Sequence, residues 1–261
     1  MTLICHELRR SWKSLLIWTC AIASFLIISL AVFPEMKSQM DSVSSLFASM
    51  GAFTKAFGME TLNFGSLTGY YSVECGNVLG IGGALFAALL GINALAKEER
   101  DGTAELLLTH PMSRAEIVTD KLAAVLIQIV FLNAVIFLLS VGAIACIGEA
   151  VPWKEVSMLH FSFFLLQLEL ACVCFGISAC LWRGGTGIGL GLAIVLYFMN
   201  IIANLTSKAE FLKYITPFGY TDGADIITKG TLQGGRILVG MLFTAAGIAL
   251  AYIKYCRKDI R

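Results

Sequence analysis

Six apolar segments, each long enough to cross a lipid bilayer, are the feature that most constrains this chain. A transmembrane helix needs about twenty consecutive apolar residues. Backbone groups without partners are too costly in hydrocarbon, so a spanning segment of this kind is helical. We therefore predict an all-α membrane protein with six transmembrane helices. The predicted spans cover residues 15–33, 69–96, 117–148, 157–182, 186–204 and 237–255.

The composition excludes an ordinary soluble domain. The 261 residues are 57% hydrophobic and only 14% charged, whereas soluble domains are about 45–50% apolar and about 25% charged. A net charge of +1 provides no basic field for nucleic acid, so the expected surroundings are membrane lipid. The three histidines are far apart and form no metal-binding spacing, and we predict no metal site.

The basic residues of the loops predict how the chain is oriented. Most of the 19 Lys and Arg residues fall on the side that carries both termini. Under the positive-inside rule, both termini are then cytoplasmic. No linker, internal repeat or low-complexity tract divides the sequence, so we expect residues 1–261 to form a single transmembrane domain.

Three further segments are not predicted to span. Residues 2–14 mix apolar and basic side chains, which is typical of a helix lying in the membrane interface. Residues 43–57 have apolar residues at helical spacing, which predicts an amphipathic helix on the outer surface. Residues 205–235 are too apolar for a free loop, and we expect them to re-enter the membrane partly or to form short helices at its surface.

The loop at residues 97–116 gathers charge between the second and third apolar runs. Its end reads SRAE, a capping box in which the Ser113 hydroxyl and the Glu116 carboxylate each accept a backbone N–H of the first turn. The third helix should therefore begin at Arg114. Pro111 disfavours helical geometry at the residue before it, so a helix arriving from upstream ends there.

Between Gly102 and the proline lies GTAELLLT, which can form about two helical turns. A helix this short is marginal alone, so we expect it to dock against a partner. Glu105 and Leu106 are the residues that we expect at this contact. The residues that we expect to hold the shape of the loop are Pro111, Ser113 and Glu116.

Ionisable residues inside the predicted spans are candidate functional positions, because a charge there costs about 2.5–3.5 kcal/mol on insertion scales. Glu169 lies near the middle of the fourth span, and Glu74 and Asn77 lie in the second. They are candidates for a substrate pathway, in which Glu169 would face a polar cavity or a subunit interface. A protonated Glu169 that donates one hydrogen bond between helices is the structural alternative. The possible polar neighbours of Glu169 are Asn77, Gln128, Asn133, Gln167 and Asn200.

Glycines at helical spacing predict close helix packing. Gly76 and Gly80 are four residues apart, as are Gly187 and Gly191. Small residues at this spacing let transmembrane backbones approach closely, within one chain or across a dimer.

Motifs for catalysis are absent from the sequence. It contains no G-x-x-x-x-G-K-[ST] phosphate loop, no H-E-x-x-H and no G-x-S-x-G. The glycine-rich stretch beginning at Arg183 lacks a preceding strand and runs into an apolar helix, which argues against a dinucleotide loop. We predict no catalytic residue.

In order, spacing and position between two spans, the loop resembles the cytoplasmic loop of type-2 ATP-binding-cassette (ABC) exporter permeases. Six spans with an N-terminal interfacial helix fit the same family. Asp120 departs from the small residue expected before Lys121. The residues that carry the resemblance are Glu98, Glu99, Gly102, Thr103, Glu105, Leu106, Leu107, Pro111, Ser113, Arg114 and Lys121, and Arg100 and Glu116 complete the predicted coupling loop.

The resemblance implies a permease subunit that is not itself an enzyme. ATP and Mg would be bound by a separate ATPase subunit, and the chain would pair with a second permease copy or a sister permease. The short helix of the loop would act as a coupling helix seated in a cleft of the ATPase. The cargo, a drug, an antimicrobial peptide, a lipid-like molecule or an ion, would leave through the plasma membrane of a bacterial cell at the dimer interface.

Two other classes of membrane protein are the alternatives to an ABC exporter permease. A secondary transporter using Glu169 as a proton or cation site would be expected to show broken helices or repeats in both halves, which the sequence does not show. A membrane-embedded enzyme would need several titratable groups at one depth, and the sequence offers only isolated ones.

Overall fold

The computed structural model describes residues 2–39, 51–56, 62–102, 112–182 and 185–258, and the regular elements within these ranges are helical. Six helices are long and apolar enough to cross a membrane, which confirms the predicted fold. These six are α1 (Thr2–Ser38), α3 (Leu67–Ala94), α5 (Arg114–Cys146), α6 (Trp153–Ser178), α7 (Thr186–Leu205) and α9 (Gly234–Arg257). Three short helices are α2 (Gly51–Ala56), α4 (Lys97–Arg100) and α8 (Gly223–Lys229).

The first helix differs from the prediction of a separate interfacial helix at residues 2–14 followed by a span. α1 is continuous through this point, from Thr2 to Ser38. The sequence has no glycine or proline before Pro34, so nothing interrupts the backbone hydrogen bonds at the expected junction. The amphipathic residues therefore form the first turns of the same helix as the span.

The second long helix, α3, contains a π-helical stretch at Gly76–Gly82. Phe163 of α6 packs against it: a Cβ added at Gly80 would lie 3.0 Å from the Phe163 ring, and one added at Gly76 would lie 3.8 Å from it. These two glycines therefore face a neighbouring helix of the same chain. π-helical segments within α-helices often occur at functional sites.

The centre of the bundle is α6, which packs along both α3 and α9. Glycines, which have no side chain, make these contacts possible. A methyl group at Gly91 would overlap the carbonyl oxygen of Ala171, and one at Gly176 would overlap the backbone of Gly247. α1 lies along α5, and α7 lies on α3.

The fifth long helix uses a different glycine from the predicted pair to pack on α3. A Cβ at Gly189 would lie 2.8 Å from Ile92, whereas no described atom of the chain lies within 4 Å of a Cβ added at Gly187 or Gly191. The latter two positions therefore lie on an open face of the described chain. Only 17% of the most apolar window of α7 is buried.

The segment between α7 and α9 forms two 3₁₀ helices, Ser207–Tyr214 and Pro217–Tyr220, before α8. It also reaches inward. The Thr216 hydroxyl donates to the carbonyl of Leu196, 2.8 Å away, and Leu196 lies about 13 Å from the end of α7 at 1.5 Å per residue. Of the predicted outer helix at residues 43–57, only α2 is described, and Asn204 of α7 donates to its last carbonyl. The rest of that prediction lies outside the described residues.

Candidate coupling region and intramembrane polar site

A buried ionic cluster joins four helices at the end of the bundle that carries both termini. Lys121 of α5 is only 1% exposed. Its ammonium group donates to Glu98 Oε1 at 2.5 Å, to Glu7 Oε1 at 3.1 Å and to the Ala94 carbonyl at 2.9 Å. These bonds match the three N–H donors of a lysine. The cluster thus ties α1, the end of α3 and α5 to α4, where the predicted coupling loop begins.

Two further contacts attach the start of the loop to α1. The Lys97 Nζ lies 3.8 Å from Glu7 Oε2, and burial lowers the pKa of Lys97 while Glu7 opposes that change. Arg10 donates to the Asp101 carboxylate at 2.6 Å. The next residue, Gly102, has φ +68°, a left-handed conformation that glycine adopts without steric cost.

The end of the loop is organised as predicted. Ser113 accepts a hydrogen bond from the backbone N–H of Glu116 at 3.2 Å, and the Glu116 carboxylate accepts from the backbone N–H of Ser113 at 2.7 Å. The capping box and the start of α5 at Arg114 are confirmed.

Sequence reasoning placed Arg114 in the loop but missed its contact. Its guanidinium donates to the carbonyls of Tyr255 and Lys258, at the end of α9. The Lys258 side chain donates in turn to the Leu181 carbonyl at 2.5 Å, just beyond α6. The start of α5 is therefore joined to the ends of two other long helices. These partners are far apart in sequence, and no local motif signals them.

The middle of the predicted coupling loop falls at residues 103–111, outside the described residues. The predictions for Thr103, Glu105, Leu106, Leu107 and Pro111 therefore stay predictions. The backbones of Glu99 and Arg100 belong to α4, but their side chains also fall outside the described part.

The intramembrane carboxylate Glu169 has a partner that sequence reasoning missed. The Tyr220 hydroxyl donates to Glu169 Oε2 at 2.9 Å. Among the described residues, the amide side chains named as possible neighbours make no hydrogen bond to Glu169. A methyl group at Gly240 would overlap the Glu169 carboxylate, which shows how closely α9 approaches. Tyr220 reaches this position because the segment before α8 turns inward, a long-range feature that spacing does not reveal.

Two of the expected neighbours bond to each other instead. Asn133 of α5 donates to Gln167 of α6 at 2.7 Å, at a buried point between the two helices. A nearby buried pair joins the Tyr71 hydroxyl to His160 Nε2, at 2.7 Å. These bonds satisfy part of each side chain, since Asn133 Oδ1, Gln167 Nε2 and His160 Nδ1 are buried without a hydrogen-bond partner among the described residues.

The predicted pathway residues do not converge on one site. Asn77 lines a cleft at the other end of the bundle, together with Asn200, Asn204 and Asp222. Burial raises the pKa of Asp222, an effect that Lys213 opposes. Glu169 and the half-buried Glu74 are not among the described residues that line this cleft. Within the described ranges, no group of three or more His, Cys, Asp or Glu residues is arranged to hold a metal ion.

These features define a multi-pass α-helical membrane protein with a charged loop anchored to several of its helices. Residues 1–260 match the family model described as ABC-2 family transporter protein, and the chain belongs to this family. It is thus a permease subunit of an ABC transporter in the plasma membrane, and the family implies an ABC ATPase subunit as its partner. A comparison with curated proteins finds no match.

Proposed function

We propose that the chain is the membrane-spanning part of an ATP-driven exporter that moves a drug, an antimicrobial peptide, a lipid-like molecule or an ion out of a bacterial cell. ATP and Mg bind to the partner ATPase, and the loop at residues 97–116 receives its movement on the cytoplasmic side. The observation that carries this proposal is the buried contact of Lys121 with Glu98, Glu7 and the Ala94 carbonyl, which links the loop to α1, α3 and α5.

The cluster fixes the start of the loop to the helices of the bundle. Removing one partner of a buried ion pair typically costs about 3–5 kcal/mol, so the contact resists separation. The cluster of Lys121, Glu98 and Glu7 holds α1 and α5 against α4. Force on the loop therefore moves these helices together rather than bending α4 alone.

The far end of the loop is held as well. The capping box keeps α5 helical up to Arg114, and the Arg114 side chain contacts the end of α9. A push on the short segment between the two anchors is therefore passed to the helices and is not absorbed by an unwound turn.

The proposal includes a second permease copy or a sister permease. Its support is the open face of α7, where a Cβ at Gly187 or Gly191 would contact no described atom of the chain. Small residues on an open transmembrane face suit close contact with another helix. Cargo would pass between the two permeases.

The test studies the chain in complex with its ATPase partner, which is expressed from the same operon or supplied in trans. The double variant Glu105→Lys, Leu106→Asp should detach the ATPase or uncouple its hydrolysis, while the chain still inserts and purifies as wild type. A matched acid-to-lysine change, Glu35→Lys, alters an exposed residue near the other end of α1 and should leave both readouts unchanged. Normal ATPase co-purification together with normal ATP-driven transport in the loop variant would contradict the coupling role.

A further inference from the structure

An open basic pocket of about 470 Å³ lies beside the ends of α6 and α9, on the same end of the bundle as both termini. Its basic side chains are Lys254, Arg257 and Lys258. Trp182 and Ile253 form apolar walls, and these two side chains are 56% and 55% exposed. The function proposed above makes no use of this pocket.

The pocket carries a concentrated positive charge. None of its described lining residues is acidic, and neither Lys254 nor Arg257 forms an ion pair with a described acidic residue. Lys258 is held in place, since its ammonium lies 4.8 Å from the centre of the Trp182 ring and donates to the Leu181 carbonyl. The geometry therefore favours an anionic ligand.

The apolar walls favour a particular kind of anion. Tryptophan beside basic residues at the end of a transmembrane helix is typical of the headgroup level of a bilayer. Ile253, together with Leu238, Met241 and Leu242 of the same helix, is exposed along α9. A soluble anion would gain nothing from this apolar surface, whereas a phospholipid would place its acyl chains against it.

We propose that this pocket binds the headgroup of an anionic phospholipid of the cytoplasmic leaflet. Basic pockets between transmembrane helices on the cytoplasmic side are suited to such headgroups. The assignment of the leaflet rests on the orientation in the proposed function. Arg114 bonds to the backbone of Lys258, so a bound lipid would also brace the anchor at the end of the coupling loop.

The experiment measures lipid binding to the purified full-length chain by native mass spectrometry, with phosphatidylglycerol as the probe and phosphatidylcholine as the neutral comparison. The variant Lys254→Gln, Arg257→Gln should bind phosphatidylglycerol roughly tenfold more weakly or worse, given the attraction of each basic residue for an anionic lipid. The control Arg9→Gln, Lys13→Gln removes the same charge from exposed positions near the N-terminus and should bind as wild type.

A second measurement needs no variant. Cys180 lines the pocket and Cys256 is exposed outside it. Phosphatidylglycerol should slow alkylation of Cys180, measured peptide by peptide, and leave Cys256 unchanged. Protection of both thiols or of neither would overturn the proposal even if the charge variant failed to fold.

Other outcomes would also contradict the proposal of a phospholipid site. Equal binding of the two lipids, or equal loss in both charge variants, would mean that these residues act only as general interface charges. Displacement of phosphatidylglycerol by inorganic phosphate would instead indicate a site for a free anion. No ATPase takes part in these measurements, so their failure is separate from a failure of the coupling role.

Discussion

The Lys121 ammonium group lies 2.5 Å from the Glu98 carboxylate in the interior of the bundle. The pair links α5 to α4, the helices in which the predicted coupling loop ends and begins. The loop therefore begins and ends on elements that are already joined by a buried contact, to which Glu7 of α1 adds a second carboxylate.

Replacing Lys121 with Met should destabilise the protein, because it leaves the buried Glu98 without its cation and leaves Glu7 with only the more distant Lys97. We expect a loss of about 3–5 kcal/mol in the free energy of unfolding, as for other buried pairs broken on one side. Denaturation of the purified chain in detergent measures it.

Adding Glu98→Gln to Lys121→Met should recover part of that loss, because one of the buried charges is then removed with its partner. A double variant that is less stable than Lys121→Met would show that the two residues do not act as a pair.

Glu169→Gln should leave stability and transport close to wild type, because a glutamine oxygen still accepts the hydrogen bond of Tyr220. Tyr220→Phe should cost about 1–3 kcal/mol, since it leaves a buried acceptor without its donor. Thermal unfolding and a cargo-efflux assay compare the two. The opposite pattern, with efflux abolished in Glu169→Gln and kept in Tyr220→Phe, would favour an ion-coupled transporter.

Removing the capping box through Ser113→Ala and Glu116→Ala should weaken the start of α5 by about 0.5–2 kcal/mol. The ATPase should still bind, but its hydrolysis should be less tightly coupled to transport. The ratio of ATP hydrolysed to cargo moved is the measurement. Ser24→Ala, an exposed serine within α1, is the control, and the same ratio in both variants would argue against a stiffening role for the box.

Local features of this fold could be predicted, and long-range ones could not. The six spans follow from the length that hydrocarbon requires, and the capping box depends on residues three apart. The carboxylate partners of Lys121 come from α1 and α4, and the whole of α7 separates Tyr220 from Glu169 in the sequence. Neither contact therefore leaves a periodic signal. The π-helical stretch at Gly76–Gly82 was missed because its glycines are equally compatible with an ordinary α-helix.

Close packing predicts which glycines tolerate a side chain. Gly91→Ala should destabilise the bundle, because its methyl group would overlap the Ala171 backbone, and an overpacked core typically costs about 1–3 kcal/mol. Gly142→Ala, on an open part of α5, should be neutral or up to about 1 kcal/mol more stable, since alanine is the better helix former. Unfolding midpoints in detergent measure both, and equal midpoints would show that α3 and α6 are less tightly packed than described.

The open face of α7 predicts where a second permease binds. A Cβ added at Gly187 or Gly191 has no described atom of the same chain within 4 Å, so the fold should persist when both residues are replaced by leucine. Across a closely packed dimer, the added side chains would separate the two backbones and weaken association. Light scattering of the purified chain, or of its complex with a sister permease, should show the shift toward single permeases. Gly142→Leu adds one leucine side chain to an open position on α5 and should leave assembly unchanged. If dimers persisted in the α7 variant and were lost in the α5 control, the partner would bind along α5 instead.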